Sequence, residues 1–489
     1  MPPVAPLLAD LLTGVDEAES SGNAAIAVTD VTHRSSEVRS GALFFCVPGD
    51  HVDGHAYAPE AASCGASAVV VERWVGDLPV VQVRVPSVRR AMGPIASSFF
   101  ERPSERMSVV GVTGTNGKTT TTYLLESIFG QAGLPAGVVG TTGVRILGRT
   151  VPFERTTPEA PDLQRLLRRM ANEGVVAAAM EVSSHGLDQH RVDGTRYSCA
   201  VFTNLSQDHL DYHPSMQEYF DAKARLFTPE LSERAVVNAD VPEGRALARR
   251  SLVCTRTFGL DPSADIRASD VEVTQSGISF RVDGLAVRSR LRGSFNVSNC
   301  LGALAAARAI GIDDAAIVRG IGELSGVPGR LEPVEAGQPF SVLVDYAHSP
   351  DSLENVLRTV RDLTGGRVVV VFGCGGDRDR GKRPLMGRAA TSLADLSIIT
   401  SDNPRSEAPE AIIAEIEPGA REGGGSYAVE TDRRAAIRLA LIEAAAGDVV
   451  LIAGKGHETG QEFRDGILPF DDRTTAIEEL RSLGLTGGR

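Results

Sequence analysis

No run of about 18 apolar residues free of charge occurs in the chain, so nothing in it reads as a membrane span. Positive charge is in deficit as well. Lys and Arg number 50 against 63 Asp and Glu, a net charge of −13, which argues against a general binder of nucleic acid or of anionic membrane. An anionic small substrate must then meet locally placed cations. Cysteine is sparse: six residues (46, 64, 199, 254, 300 and 374) lie far apart with no Cys-x-x-Cys, which excludes a disulfide framework and fits reduced, buried thiols in the cytoplasm. The N-terminal stretch MPPVAPLLADLL has an apolar patch but no basic leader or long apolar core, so no secretory signal is expected. Solenoid periods and low-complexity tracts are missing too. What is there, 489 residues of which 42% are hydrophobic and 23% charged, is the composition of a globular protein of about two to four domains.

The chain is organised around residues 109–120, VVGVTGTNGKTT. The apolar run 109–112 reads as a short buried strand. Residues 119–131 read as a helix, with apolar side chains at 124, 125, 128 and 129. Strand, glycine-rich turn, Lys-Thr and helix is the layout of a phosphate-binding loop: glycines let backbone N–H groups converge on anionic oxygens, and the helix N-terminus adds a favourable dipole. Lys118 can reach outer phosphates, and the Thr119 hydroxyl is a natural magnesium ligand. The spacing departs from G-x-x-x-x-G-K-[ST], since position 112 is Val and the glycines fall at 111, 114 and 117. The bland alternative is a glycine turn that happens to precede Lys-Thr. The flanking strand and helix favour the phosphate loop, with ATP as its ligand.

Residues 1–102 read as a small α/β unit, with strands at 41–48, 66–72 and 79–85 and a helix at 57–64. Ser35, Ser36 and the loop 49–54 would sit at strand ends, where α/β sheets bind ligands, although turn residues are the commoner explanation. Residues 101–104 read as a linker. A second unit spans 103–328. Strand 175–182 delivers Glu181 and Ser183-Ser184-His185 to its C-terminal end, and strand 198–204 delivers NLSQDHLDYH, residues 204–213. Glu181 and His209 beside a phosphate loop could hold a metal, or could merely cap a helix and fill a loop. Lys223, on a helix at 216–227, reads by itself as a solvated lysine. Asn296 and Asn299 open an Ala-rich helix and could line a cleft or cap the helix.

A third unit, 329–489, alternates strands and helices again, with strands at 341–345, 367–372, 396–400 and 448–453. Each runs into a polar loop: DYAHSP, GCGGDRDRGKRP, SDNPRSE and GKGHE. In a parallel sheet these loops share one carboxyl edge, gathering Arg378, Arg380, Lys382, Arg383, Arg405 and Lys455 on a rim that reads as a second substrate site facing the phosphate loop.

GTNGKTT (114–120), MEVSSHGL (180–187), NLSQDHLDYH (204–213), YFDAKARLF (219–227), DYAHSPDSL (345–353) and GKGHE (454–458) together resemble the Mur ligases of peptidoglycan synthesis. GCGGDRDRGKRPLMG with DNPR is most similar to the members that add 2,6-diaminopimelate. The resemblance spans essentially the whole chain. It implies an α/β protein of three domains: an N-terminal domain (1–102) for the UDP-substrate, a central P-loop ATPase (103–328), and a C-terminal Rossmann-like domain (329–489) for the amino acid. The implied activity is an ATP-dependent amide-bond-forming ligation, with ATP and Mg2+ as cofactors, and a monomeric protein acting on small molecules without nucleic acid or membrane. Position by position, Gly114, Thr115, Asn116, Gly117, Lys118, Thr119 and Thr120 match the ATP loop, and Asn299, Arg330 and Asp345 match nucleotide contacts. Ser35, Thr156, Thr157, Ser183, Gln189 and Arg191 match positions that hold the UDP-muramyl dipeptide. Thr119, Glu181 and His209 match the magnesium site. Lys223 matches a lysine that becomes carbamylated in the family, against the bland reading of it above. Arg378, Asp402, Asn403, Pro404, Arg405, Gly454 and Glu458 match the diaminopimelate pocket. One departure stands out: the family commonly has Asp-Ser-Arg where this chain has Arg34-Ser35-Ser36, which leaves the uridine contacts open. The alternatives are an L-lysine-adding Mur ligase, a folylpolyglutamate synthase or, from another class, a P-loop phosphotransferase or nucleotide switch.

Overall fold

The computed structural model describes residues 5–49, 52–151, 153, 155–274 and 276–485. Its centre is a nine-stranded sheet. From one edge the order runs Ile266–Arg267, Cys254–Gly259, Arg234–Asn238, Cys199–Phe202, Ser108–Thr113, Ala177–Glu181, Ala136–Gly140, Gly143–Ile146 and Arg149–Val151. The first seven are parallel and the last two turn back antiparallel. Ser108–Thr113 and its neighbours are buried on both faces, as parallel strands carrying helices on each side must be, and their sequences are accordingly Val- and Ala-rich throughout. The helix Lys118–Gln131 packs on one face with Phe295–Ala309 and Asp314–Glu323, while Ala160–Asn172 covers the other.

The glycine loop therefore leaves the strand that lies between the strands ending in Glu181 and in Phe202. Chain connections part in opposite directions there, and the carboxyl ends of parallel strands open a crevice at such a point.

A five-stranded sheet precedes it and a six-stranded sheet follows. In the latter, Ser341–Asp345, Val449–Ala453, Val368–Phe372, Leu396–Ile399 and Ser426–Val429 are parallel, so the four polar loops do emerge at one edge. Several elements escaped the sequence reading. Asp30–Thr32, Gly143–Ile146 and Ser426–Val429 are too short to show a period. Val88–Phe99 carries Pro94 inside it, which argues locally against a helix, yet burial of Val88, Met92, Ile95 and Ala96 against the first sheet prevails. The helix expected over 216–227 ends at Ala224 and tightens into a 3-10 turn, Arg225–Phe227. Of the loop 49–54, Asp50 and His51 lie outside the described residues. Asp53 is engaged with His55 and Arg73, a packing role. The thiol expectation is half met: Cys46, Cys199, Cys300 and Cys374 are buried, Cys64 and Cys254 exposed. Among the described residues no helix is long and apolar enough to cross a membrane.

In the third unit Arg433 and Asp472 form a bidentate pair, Nε to Oδ1 at 2.8 Å and Nη2 to Oδ2 at 2.7 Å, with both side chains wholly buried. Arg433 also donates to the Ser401 and Ala453 carbonyls at the ends of two strands, so it ties helices to the loops at the sheet edge. Removing one partner strands a buried charge. Asp472→Ala is expected to lower stability by about 3 to 5 kcal/mol in urea unfolding, whereas a surface pair such as Arg358–Glu354 should change it by less than about 1 kcal/mol.

Candidate functional site

The crevice is a cleft of about 1460 Å3 lined by the second and third units together. The glycine loop forms its floor. Gly117 adopts φ +88°, and a Cβ on it would come within 2.3 Å of Asn299 Oδ1. Only glycine lets the loop turn beneath that helix. Asn299 in turn donates to Asn296 at 2.8 Å, so the two asparagines left open by the sequence line the cleft and hold each other.

Lys118 bends back so that its Nζ donates to the carbonyls of Gly114 (2.9 Å) and Thr115 (2.8 Å). Lys223 is buried, not solvated, because the helix Met216–Ala224 presses against the loop, and its Nζ donates to the same Gly114 oxygen at 2.9 Å. Burial, and then the neighbouring Lys118, hold the Lys223 ammonium well below its usual pKa; burial likewise lowers Lys118. Two amines thus converge on one oxygen at the wall of the cleft.

Glu181 lies beside the loop, at the end of the strand paired with Ser108–Thr113. Thr141 donates to it from both its backbone N–H and its hydroxyl, each at 2.9 Å, and Gly140 leaves room for it, since a Cβ there would sit 2.4 Å from Oε1. His209 is stacked edge-on against His185 with ring centroids 4.9 Å apart. Burial lowers its pKa to about 3 despite Asp208, so the imidazole is neutral and has a lone pair to offer. Thr119 Oγ1 accepts from Arg330 at 3.0 Å. Asp345 accepts the N–H groups of Leu331 and Ala347, which fixes the crossing between second and third units; its burial raises the carboxyl pKa. Among the described residues no three His, Cys, Asp or Glu side chains converge as a metal cage.

Thr156, Thr157, Ser183 and Arg191 line the same cleft, whereas Ser35 and Gln189 do not. Thr157 is more than a lining residue: its hydroxyl donates to Glu181 O (3.1 Å) and accepts from Ser183 N (3.0 Å), pinning the strand end. Gln189 accepts a hydrogen bond from Arg191 and donates to Tyr212, so it reaches the cleft only through them.

The rim of cations expected on the third unit divides in two. Arg380 and Arg383 are engaged with Glu415, and Arg383 also with Glu407, so both brace the helix Pro409–Gly423. That correction has a plain cause: their partners lie some thirty residues downstream, beyond local sequence reading. Arg378 and Arg405 instead converge around Gly375 beside Asn403. Arg405 is held by Glu462 (2.8 Å) and the Gly376 carbonyl (2.8 Å), and Glu458 accepts from Asn403 and Lys455 at 2.9 Å each. Asp402 packs against Gly454 with Oδ2 buried and unpartnered, and Pro404 O abuts Gly376. These residues cluster with one another and are not among those that line the cleft.

The sequence reading missed the bonds that close the cleft. Asp351 accepts from Asn116 (2.9 Å) and Ser206 (3.1 Å), His457 meets Thr141 O at 3.1 Å, and Asp208 faces both His348 (3.7 Å) and Lys382 (4.0 Å). Burial works to raise the Asp208 carboxyl, but His348, His209 and Lys382 hold it well below the usual range. DYAHSP and GKGHE were visible as strand-end loops on a rim expected to face the phosphate loop; the individual bonds across the cleft were not.

Three family models match in chain order: Mur ligase family, catalytic domain over 27–100, Mur ligase middle domain over 112–307, and Mur ligase, glutamate ligase domain over 329–456. The chain belongs to the Mur ligase family. The UDP-N-acetylmuramoyl-L-alanyl-D-glutamate--2,6-diaminopimelate ligase of Geobacillus thermodenitrificans is 48% identical over 455 residues, covering 90% of this chain and 92% of that protein. The ligase of the same name from Geobacter metallireducens is 45% identical over 98% of this chain and 99% of its own length. A solved ligase of that name aligns with a TM-score of 0.70 at 34% identity, over 98% of this chain and 99% of that one. A Mycobacterium tuberculosis folylpolyglutamate synthase complexed with ADP and AMPPCP shares the fold, at 18% identity and a TM-score of 0.60 over 79% of this chain and 93% of that one.

The Mur ligase loop gives a direct test of its geometry. Gly117→Ala places a Cβ in a left-handed backbone and against Asn299, and is expected to destabilise the protein by about 1 to 3 kcal/mol by thermal or urea unfolding. Adding Asn299→Gly should recover the steric share and leave the backbone share.

Proposed function

We propose that this Mur ligase uses ATP to join meso-2,6-diaminopimelate to the D-glutamate γ-carboxylate of UDP-N-acetylmuramoyl-L-alanyl-D-glutamate, a step of peptidoglycan synthesis. The supporting observation is that one cleft is lined at once by the glycine loop, by Thr156, Thr157 and Arg191, and by Asp345 and His348 of the third unit. The names of relatives 48% and 45% identical support the same substrates. The folylpolyglutamate synthase likeness extends to fold alone, and a kinase or switch would have no use for the cluster around Arg405. Unit boundaries near 102 and 328, a monomer, and action in the cytoplasm complete the reading.

A carboxylate resists attack by an amine because it carries negative charge and has no leaving group. Transfer of the γ-phosphoryl group of ATP to the γ-carboxylate supplies both remedies. The loop amides from Gly114 to Thr120, with Lys118 and Arg330, bind and orient the phosphates, and Asn299 and Asp345 hold the nucleotide side of the cleft. Thr157, Ser183 and Arg191 seat the dipeptide so that its carboxylate faces that phosphate. The incoming amino group then attacks, and phosphate leaves. Thr119, Glu181, His209 and a carbamylated Lys223 are the residues that would hold Mg2+. Three of the four would offer oxygen, the donor that a hard cation prefers, and magnesium keeps phosphate and water as its other ligands. Bound there, the ion would neutralise charge on the phosphate oxygens.

The depressed Lys223 pKa favours the carbamate, because only the neutral amine adds to carbon dioxide and the product replaces a buried cation by a carboxylate beside Lys118. Lys223→Ala is expected to lose activity by at least about a hundredfold while folding normally. Short-chain carboxylates should restore part of it. Normal turnover of the variant would remove the carbamate role.

The amino acid is set, in this proposal, by Arg378, Asp402, Asn403, Arg405, Gly454 and Glu458. Diaminopimelate differs from lysine by a second carboxylate, and a guanidinium can bond both its oxygens. Arg405 would exchange Glu462 for that carboxylate. Phosphate release, assayed with the UDP-muramyl dipeptide and a panel of amino acids, should occur with meso-diaminopimelate and, at best, about four orders of magnitude less efficiently with L-lysine. Arg405→Ala should raise the diaminopimelate KM steeply and spare the KM for ATP. Equal use of lysine, or release without any amino acid, would overturn the assignment.

A further inference from the structure

At the cleft wall lies a charge cluster of which the proposed chemistry uses only Arg191. Glu159 is the residue before the helix Ala160–Asn172, yet its carboxylate does not cap that helix. It is buried and faces three guanidinium groups instead: Arg155, Arg191 (Nε to Oε1, 3.1 Å) and Arg89 (Nη1 to Oε2, 3.6 Å). Arg155 and Arg191 line the cleft. Arg89 belongs to the helix Val88–Phe99 of the first unit.

One carboxylate among three arginines leaves the cluster with an excess of positive charge. It is also under-bonded: Glu159 Oε2, Arg89 Nη1 and Arg191 Nε are all buried without a hydrogen-bond partner. The two guanidinium nitrogens face the Glu159 carboxylate at 3.1 and 3.6 Å without hydrogen-bond geometry, so charge holds the cluster and removing the one carboxylate leaves buried cations together. The same element is bound firmly to the first unit. Ala160 is part of that unit's core, and Arg165 of the same helix donates to Asp30 (2.8 Å) and to the Val31 carbonyl (2.9 Å). A displacement of the first unit would therefore move Glu159, and Glu159 carries the two arginines that face the cleft.

We propose that Glu159 is a positioning residue: it holds Arg155 and Arg191 toward the carboxylates of the muramyl dipeptide and, through Arg89, couples that grip to the first unit, so that both halves of the UDP-substrate are held by one element. This rests on the substrate reading above. Glu159 touches no reacting atom, and its effect falls on binding.

Steady-state kinetics of the full-length protein test it. Wild-type turnover of the UDP-muramyl dipeptide with diaminopimelate checks the underlying reading first; no turnover sinks that reading by itself. Given turnover, Glu159→Gln is expected to raise the KM for the UDP-substrate by about tenfold or more, with kcat and the KM values for ATP and diaminopimelate little changed. Glu159→Asp should recover part of the loss. Arg89→Gln should raise the same KM, and the double variant Arg89→Gln/Glu159→Gln should raise it no further than Glu159→Gln does. Should Glu159→Gln fail to fold, Arg155→Gln carries the test from the cleft side, since that side chain is 51% exposed. An unchanged UDP-substrate KM in the folded variant, equal losses in all three substrates, or additive effects of Arg89 and Glu159 would overturn the inference.

Discussion

Two lysines, the half-buried Lys118 and the buried Lys223, donate to the single carbonyl oxygen of Gly114 at the wall of the cleft, and the proposed chemistry turns on that crowding. Buried charge left unneutralised is costly, so the site favours whatever brings negative charge to it. Phosphates and a lysine carbamate are the two sources in the proposed chemistry, and they would arrive on opposite sides of the same oxygen. The glycines at 114 and 117 let the loop run against Thr203 and Asn204 on one side and Asn299 on the other, where a Cβ would clash.

That crowding was not legible in the sequence, although its parts were. Residues 109–131 declared a strand, a turn and a helix through local pattern, and the parallel sheet of the third unit through four apolar runs each ending in a polar loop. Lys223 by itself reads as a solvated helix lysine. Its burial depends on Tyr219 and Phe220 turning the helix inward against a loop more than a hundred residues earlier, a tertiary fact with no local signal. Family motifs supplied what periodicity could not. Arg380 and Arg383 show the opposite failure: they look like substrate cations at a strand end and instead brace a helix through Glu415 and Glu407. Charge type and position along a strand say that a residue is near an edge, not which way its side chain turns.

The third unit meets the second through polar bonds, Asp351 to Asn116 and Ser206, His457 to Thr141, Arg330 to Thr119, and Asp208 toward His348 and Lys382, and through Phe295, which packs against the third unit's core. The first unit combines the two kinds of contact as well. Its core includes Ala160 of the second unit, and Arg165 and Arg168 reach across to Asp30 and Glu101.

Both outer units therefore share apolar contact with the central one, and the polar bonds across the cleft come on top of it. Arg330 bonds Thr119 across the cleft, while Asp345 fixes the backbone of Leu331 and Ala347. An anion placed on the glycine loop competes for Arg330 directly. In the proposed chemistry that anion is a phosphate of ATP, which would draw Arg330 from the Thr119 hydroxyl.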